Sequence, residues 1–143
     1  MCQYYDVLVA QYGHPNLQGA KHWAIIVVTD PQELTGWAYQ IEGSTQTYKV
    51  KAPQEVRVLD SDTYMGSVKV GCIDTGLTFG SDPRSLHTIL MNNPVVKGDL
   101  QWNCQNWVVG GLERLKGAQH DINQVTVQGL QNALADAKRD SYE

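Results

Sequence analysis

Two residues of this chain could act together as a thiol nucleophile and its base, and Cys104 is the first of them. It lies in "NCQNWVVGGLERLK", where Asn103 predicts a helix start and apolar residues follow at helical spacing. A cysteine in a first helical turn is close to free backbone N–H groups and to the positive end of the helix dipole. Both favour a thiolate of lowered pKa, and the N–H groups can also bind an oxyanion. The ordinary alternative is a buried core thiol, because free cysteine is among the most buried residue types.

His22 is the histidine best placed to serve as the base. The other three are His14 in a turn, His87 in a short predicted helix and His120 in a polar loop. His22 opens "KHWAIIVVT", the most apolar strand of the chain, and an imidazole at the edge of a core needs a partner. Taken alone, His22 is explained by a hydrogen bond to nearby backbone. Together with Cys104, it favours nucleophilic catalysis.

A third group is needed to orient the imidazole and to fix its tautomer. The next predicted strand, "WAYQIEG", offers Gln40 and Glu42, which lie on the face opposite Tyr39 and Ile41. Gln40 is in the middle of the strand, where it either contacts His22 or faces solvent. Glu42 is at the strand end, where we expect it to be solvated.

The elements that must position these residues are strands in the first half of the chain and helices in the second. The apolar patterns predict strands over 5–12, 21–29, 37–43, 45–52, 55–61 and 65–73. They predict helices over 81–93, 103–116 and 126–140, the first capped by Ser81 or Asp82 with Pro83 in its first turn. The second and third strands are joined by a short connection, which indicates a hairpin. We therefore expect one α+β domain over residues 1–143, with an antiparallel β-sheet packed against a few helices.

Composition excludes several classes of function. The chain has 143 residues, of which 42% are hydrophobic and 18% charged, and its net charge is -4. Without a cluster of lysine and arginine, nucleic-acid binding is not expected. No apolar run approaches the roughly 20 residues of a membrane span, and the N-terminus does not resemble a signal peptide. We expect a cytoplasmic protein without a membrane partner, with a mature secreted form as the alternative.

The cysteine pattern indicates reduced thiols. Cys2, Cys72 and Cys104 are odd in number and widely spaced, and no C-x-x-C occurs. This argues against a disulfide framework and against a zinc site. No metal and no cofactor are expected.

Three segments, "KHWAIIV", "YQIEG" and "NCQNWVVGGL", occur in an order that resembles the circularly permuted papain-like superfamily. This superfamily includes NlpC-type hydrolases, lecithin:retinol acyltransferase-like proteins and PPPDE-like peptidases. In its permuted members the histidine strand precedes the cysteine, which begins a helix in an "NC-x-x-aromatic" setting. The resemblance covers residues 20–43 and 100–116. The chain departs from the pattern at Gln40, where many members have histidine.

The resemblance implies a permuted papain-like fold and a cysteine hydrolase that forms an acyl-enzyme. It implies that Cys104 is the nucleophile, His22 the base, and Gln40 the orienting residue, with Glu42 as the alternative. We expect a peptidase or isopeptidase first, an amidase second and a thiol acyltransferase third, because the chain is small and shows no membrane anchor. The substrate would be a protein, a peptide, or a small amide or ester. The rival hypothesis is a non-catalytic binding, interaction or defence module on the same fold. The sequence leaves substrate identity and oligomeric state open.

Overall fold

A six-stranded antiparallel sheet forms the centre of the computed structural model, which describes residues 3–13 and 21–137. In that part of the chain the strands are β1 (Tyr4–Tyr12), β2 (His22–Asp30), β3 (Thr35–Tyr39), β4 (Ile41–Glu42), β5 (Lys49–Val50), β6 (Gln54–Arg57), β7 (Tyr64–Asp74) and β8 (Asp121–Ile122). The helices are α1 (Leu86–Met91), α2 (Cys104–Gly117) and α3 (Val127–Ala135). The sheet order is β6-β3-β2-β1-β7-β8, and β4 pairs with β5 in a separate two-stranded sheet.

Strand β2 lies in the interior of the sheet and is buried on both faces. Its residues 23–27 have no exposed surface, as expected from a run that is apolar at successive positions. Strands β2 and β3 form the predicted hairpin, with Val28 opposite Gly36 and Ile25 opposite Tyr39. Pairing between the two strands stops at Ile25, so the first three residues of β2, 22–24, have no partner on β3.

The two faces of the sheet bury different layers. Ile25 and Val27 face the helices and share a core with Trp107 of α2. Ala24 and Ile26 face the other side, where they pack with residues of β3, β7 and the segment after β6. Because side chains alternate along a strand, His22 begins β2 on the same side as Ala24.

Helix α2 packs closely against α1 and the segment after it because it carries glycine at the contact. A Cβ built on Gly111 would lie 2.8 Å from Leu90 Cδ2, 3.2 Å from Asn93 Nδ2 and 3.5 Å from Ile25 Cδ1. A Cβ built on Gly110 would meet Asn93 Oδ1 at an ordinary 3.8 Å. Of the two adjacent glycines, Gly111 is therefore the one that allows the close approach.

Opposite effects on stability are expected from alanine at these two positions. Gly111→Ala should lower the free energy of unfolding by up to about 2 kcal/mol, because overpacking costs about 1–3 kcal/mol and the gain in helix propensity is only ~1 kcal/mol. Gly110→Ala should raise it by up to about 1 kcal/mol. Urea denaturation of both variants measures the difference. Equal shifts of the two midpoints would show that the close contact at Gly111 is not limiting.

The helix predicted over 81–93 is shorter, and its predicted cap is wrong. Helix α1 begins only after Ser85, whose side chain accepts a hydrogen bond from Thr88 N at 3.0 Å. The Asp82 carboxylate accepts from Arg84 N at 2.8 Å, and Ser85 N donates to the Asp82 carbonyl at 2.8 Å. This turn uses Asp82 to close a loop around Pro83, which delays the helix by one turn.

Two further differences concern short segments. The strand predicted over 45–52 is reduced to Lys49–Val50, because Thr47 N donates to the Ser44 carbonyl at 2.8 Å in a turn. The segment predicted as a polar loop near His120 includes β8, which pairs with Gly71 and Cys72 of β7. The last predicted helix appears as α3, and positions 138–140 of that prediction lie outside the described residues.

The structure confirms an α+β fold with an antiparallel sheet and a few helices. Within residues 3–13 and 21–137, no helix combines the length and the apolar character needed to cross a bilayer. The permuted papain-like arrangement and the cytoplasmic location remain predictions.

Candidate active site

Cys104 is the first residue of helix α2, and two reciprocal hydrogen bonds cap the start of this helix. The Asn103 side chain accepts a hydrogen bond from Gln105 N at 2.9 Å. Asn103 N donates to Asn106 Oδ1 at 2.9 Å, which completes a capping box. The predicted cap is confirmed, and it fixes the sulfur of Cys104 in the first helical turn.

The start of α2 is tied to the start of β2 through one backbone carbonyl. Cys104 Sγ donates to the Lys21 carbonyl oxygen at 3.7 Å, and Gln105 Nε2 donates to the same oxygen at 2.9 Å. The oxygen of the buried Gln105 side chain accepts from Gln131 Nε2 of α3 at 2.8 Å. The hydrogen bond from the Gln105 amide to the Lys21 carbonyl is short and the one from the thiol is long. The thiol is therefore the weaker donor to this carbonyl.

Burial raises the pKa of the Cys104 thiol above its ordinary value. Backbone N–H groups of Trp23, Cys104 and Gln105 act in the opposite direction, because they hydrogen-bond the thiolate, but burial is the larger effect. The N–H groups at the helix start thus lower this pKa as expected, but burial outweighs them and the net shift of the resting thiol is upward. The N–H groups are nevertheless where an anion at this position would be stabilised.

His22 is hydrogen-bonded to Gln40 at the edge of the same region. His22 Nε2 lies 2.5 Å from Gln40 Oε1, and both side chains are half-buried. An amide oxygen can only accept, so Nε2 carries the hydrogen and Nδ1 keeps its lone pair. Gln40 thereby selects the tautomer in which Nδ1 can act as a base.

Glu42, the alternative partner, does not contact the imidazole in this way. Its side chain is exposed and forms an ion pair with Lys49, at 3.5 Å, across the β4–β5 pair. An exposed ion pair of this kind contributes little free energy. Of the two sequence candidates, the structure pairs Gln40 with His22.

One cavity of about 620 Å³ at the end of the sheet brings the three predicted residues together. His22, Gln40 and Cys104 all line it, and its volume is in the range of small-molecule and peptide side-chain sites. Tyr48 and Trp102 form another wall, with their rings edge to face at a centroid distance of 5.5 Å. The cavity thus combines a thiol, an oriented imidazole and an aromatic surface.

The other histidines lie elsewhere in the fold or outside the described residues. His87 Nδ1 is 3.1 Å from the hydroxyl of Tyr39, whose pKa burial raises to about 12. His120 Nε2 is 2.7 Å from the Arg84 carbonyl oxygen. His14 lies outside the described residues. Among the histidines in residues 3–13 and 21–137, His22 is the one that lines the cavity of Cys104.

Cys72 provides an internal comparison for Cys104. Both are free and half-buried, but Cys72 lies on β7 and donates to Asp121 Oδ2 at 3.4 Å. Burial, followed by the hydrogen bond to Asp121, raises its pKa. Cys2 lies outside the described residues. Within the described ranges, no group of three or more histidine, cysteine or acidic side chains could hold a metal ion.

Comparison with known proteins identifies a family but no activity. The sequence profile of a family of unknown function, DUF6540, matches residues 7–120. The chain belongs to this family. No match to the chain was found among curated proteins or solved structures.

The DUF6540 match extends from strand β1 to the residue before β8, so it includes the whole candidate site. His22, Gln40 and Cys104 all fall inside it, whereas helix α3 lies beyond its end. The family region alone therefore contains both the strand and the helix that carry the site.

Sequence reasoning missed two side chains of this region. Gln105 is buried on α2 in line with Val108 and Leu112, and a polar residue on an apolar stripe signals a required hydrogen-bond partner. That signal was available in the sequence. Tyr48 gave none, because it fell inside a predicted strand and its contact with Trp102 depends on the tertiary fold.

Proposed function

We propose that this chain is a cysteine-dependent hydrolase in which Cys104 attacks an amide or ester carbonyl and His22 transfers the proton. The observation that carries the proposal is the His22–Gln40 hydrogen bond in the cavity that Cys104 lines. It supplies an imidazole of defined tautomer in the same cavity as a thiol at a helix start. A peptidase or isopeptidase is the first choice and an amidase the second.

The reaction begins with a protonated thiol, because the pKa of Cys104 is raised. His22 Nδ1 takes the proton as the sulfur bonds to the carbonyl carbon, and the carbonyl oxygen becomes an oxyanion. Backbone N–H groups near Cys104 stabilise that oxyanion. The carbon–nitrogen or carbon–oxygen bond then breaks, and His22 returns the proton to the leaving amine or alcohol. Water, activated by His22, hydrolyses the thioester and regenerates the thiol.

The thiol must turn from the Lys21 carbonyl toward His22 before it attacks. Gln105 lowers the free-energy cost of this movement, because its amide remains hydrogen-bonded to the Lys21 oxygen, at 2.9 Å, when the thiol turns away. The unsatisfied acceptor that would otherwise remain in a half-buried position costs about 1–3 kcal/mol. Gln105 is therefore a positioning residue for the nucleophile.

The order of the elements supports a permuted papain-like arrangement as part of the proposal. The histidine strand β2 precedes the cysteine helix α2 in the chain, and α2 packs against β2 through Ile25 and Gly111. A thiol acyltransferase would use the same acyl-enzyme and transfer the acyl group to an amine or alcohol in place of water. It ranks third.

The proposal is tested with p-nitrophenyl acetate and the intact chain. We expect a burst of p-nitrophenolate of one equivalent, followed by slow turnover. Peptide mapping by mass spectrometry should place the acetyl group on Cys104. Acetylation distributed over lysines and Cys72, without a burst, would contradict a hydrolytic thiol site.

A non-catalytic binding module is the second candidate, and one observation favours it. In the structure the Cys104 thiol donates to the Lys21 carbonyl, and its pKa is raised by burial, as for an unreactive core thiol. On this hypothesis the cavity beside Tyr48 and Trp102 binds a ligand without reaction.

The pH dependence of Cys104 alkylation separates the two candidates. The ordinary pKa of a cysteine thiol is about 8.5, and burial raises the pKa of Cys104 above it. An unassisted Cys104 thiol therefore reacts with iodoacetamide only at a pH above that ordinary pKa. If His22 removes the proton, alkylation should already proceed near pH 7. The measurement uses a Cys72→Ala background and quantifies the alkylated Cys104 peptide between pH 5 and 10. If alkylation of Cys104 rises only in one step at alkaline pH, the binding module is favoured.

A further inference from the structure

A second cavity, on the other side of the His22–Gln40 pair, has a volume of about 660 Å³. His22 and Gln40 line both cavities, whereas Cys104 lines the first. The walls of the second cavity come from the face of the sheet that is turned away from the helices. They include Tyr12, Ala38, Val56, Val58 and Thr63.

The position of His22 between two cavities matches a requirement of acyl transfer through a thiol. The imidazole must first take a proton on the side of the nucleophile and then give it to the leaving group. The two halves of an amide extend in different directions from its carbon–nitrogen bond. A ring that is accessible from two cavities can therefore contact both halves of one substrate.

The walls of the second cavity indicate what it would hold. Ala38, Val56 and Val58 are apolar, and Tyr12 is neutral because burial, with a smaller effect of Tyr64, raises its pKa to about 12. The one cation in the described lining, Arg57, is ion-paired with Glu33 at 3.0 Å and with Asp60 at 3.6 Å, so its positive charge is compensated by carboxylates. The cavity therefore suits an uncharged group with an apolar body.

We propose that the second cavity binds the amine half of the substrate, while the Cys104 cavity binds the acyl half. This inference rests on the proposed function and narrows its substrate class. A primary amide releases ammonia, which does not need a cavity of this size. The substrate class is a secondary amide with an apolar amine half, as in a peptide or isopeptide bond. When the thioester forms, the carbon–nitrogen bond breaks and the released nitrogen receives the proton from His22.

The site that holds a leaving amine also holds an attacking amine, because the two reactions pass through the same transition state. The acetyl-enzyme formed with p-nitrophenyl acetate can therefore be intercepted with amines of different size. We expect phenylalaninamide to accelerate loss of the acetyl group at least 10-fold more than glycinamide at equal concentration. Acetyl-phenylalaninamide is the product measured.

Two variants on strand β6 test whether the preference for phenylalaninamide depends on the second cavity. Val56→Trp fills the second cavity and should reduce the phenylalaninamide-to-glycinamide ratio to near one. Glu55→Trp adds the same ring at an exposed neighbouring position that does not line this cavity, and should keep the ratio. The ratio is insensitive to a general loss of activity, so a partly unfolded variant does not imitate the result.

The outcomes separate the two proposals. If Cys104 becomes acetylated but both amides act equally, or if the two tryptophan variants behave alike, the second cavity is not the amine site and the hydrolase proposal stands. If Cys104 is not acetylated at all, the hydrolase proposal fails and this inference fails with it.

Discussion

Replacing Cys104 by alanine should abolish the p-nitrophenolate burst completely, while Cys72→Ala keeps it. In the proposed reaction the sulfur of Cys104 bonds to the acyl carbon, and a methyl group cannot replace it. Cys72 is also half-buried with a raised pKa, but its neighbour is the carboxylate of Asp121 and not an imidazole. The measurement is the burst amplitude per mole of chain, followed by the absorbance of the released p-nitrophenolate.

Stability controls make this comparison decisive. Removing one half-buried sulfur should change the free energy of unfolding by roughly 1 kcal/mol, so both alanine variants should remain folded. A burst of full amplitude in the Cys104 variant would rule out this residue as the nucleophile. A burst lost in both variants with intact folding would mean that the burst does not depend specifically on Cys104.

Replacing His22 by glutamine should slow acetylation of Cys104 by about 10²–10⁴-fold, the usual contribution of a positioned general base. Glutamine keeps a polar side chain opposite Gln40 but has no basic nitrogen. The thiol would then depend on its own ionisation, which burial shifts to higher pH. The rate constant of the burst phase at pH 7 measures the effect.

His87→Gln is the matched control for this prediction. His87 is also half-buried and hydrogen-bonded, to the Tyr39 hydroxyl, but it lines a different cavity. We expect its burst rate to stay within about threefold of the unchanged chain. Equal rates for the His22 variant and the unchanged chain would remove His22 from the mechanism while leaving Cys104 in it. The pH profile of the His22 variant should then be unchanged as well.

Strand β2 and helix α2 could be predicted from the sequence because local and tertiary signals agree there. The run from Trp23 to Val27 is short, rich in β-branched residues and apolar at every position, which is typical of a strand buried on both faces. Asn103 provides the cap and an apolar stripe follows it, so the helix start was defined to the residue. The candidate site benefited directly, since His22 and Cys104 are the first residues of these two elements.

The features that could not be predicted depend on contacts across the fold. The raised pKa of Cys104 follows from burial in the tertiary fold, which outweighs the local effect of the helix start. The choice of Gln40 over Glu42 depends on where β3 ends relative to β2. The late start of α1 depends on a side-chain turn at Asp82 that competes with a helical cap.

The early end of strand β3 at Tyr39 has a consequence for how this site could be lost or built. Strand β2 runs back to His22, so its first residues have no β3 neighbour on that edge. The Lys21 carbonyl and the Trp23 N–H, which a longer β3 would be free to use for ladder pairing, instead meet the Cys104 sulfur and the Gln105 amide. The candidate site thus occupies a gap at the edge of the β2–β3 ladder. An insertion that extended the β2–β3 ladder by two residues would close that gap and displace the helix start without altering a single residue of the cavity.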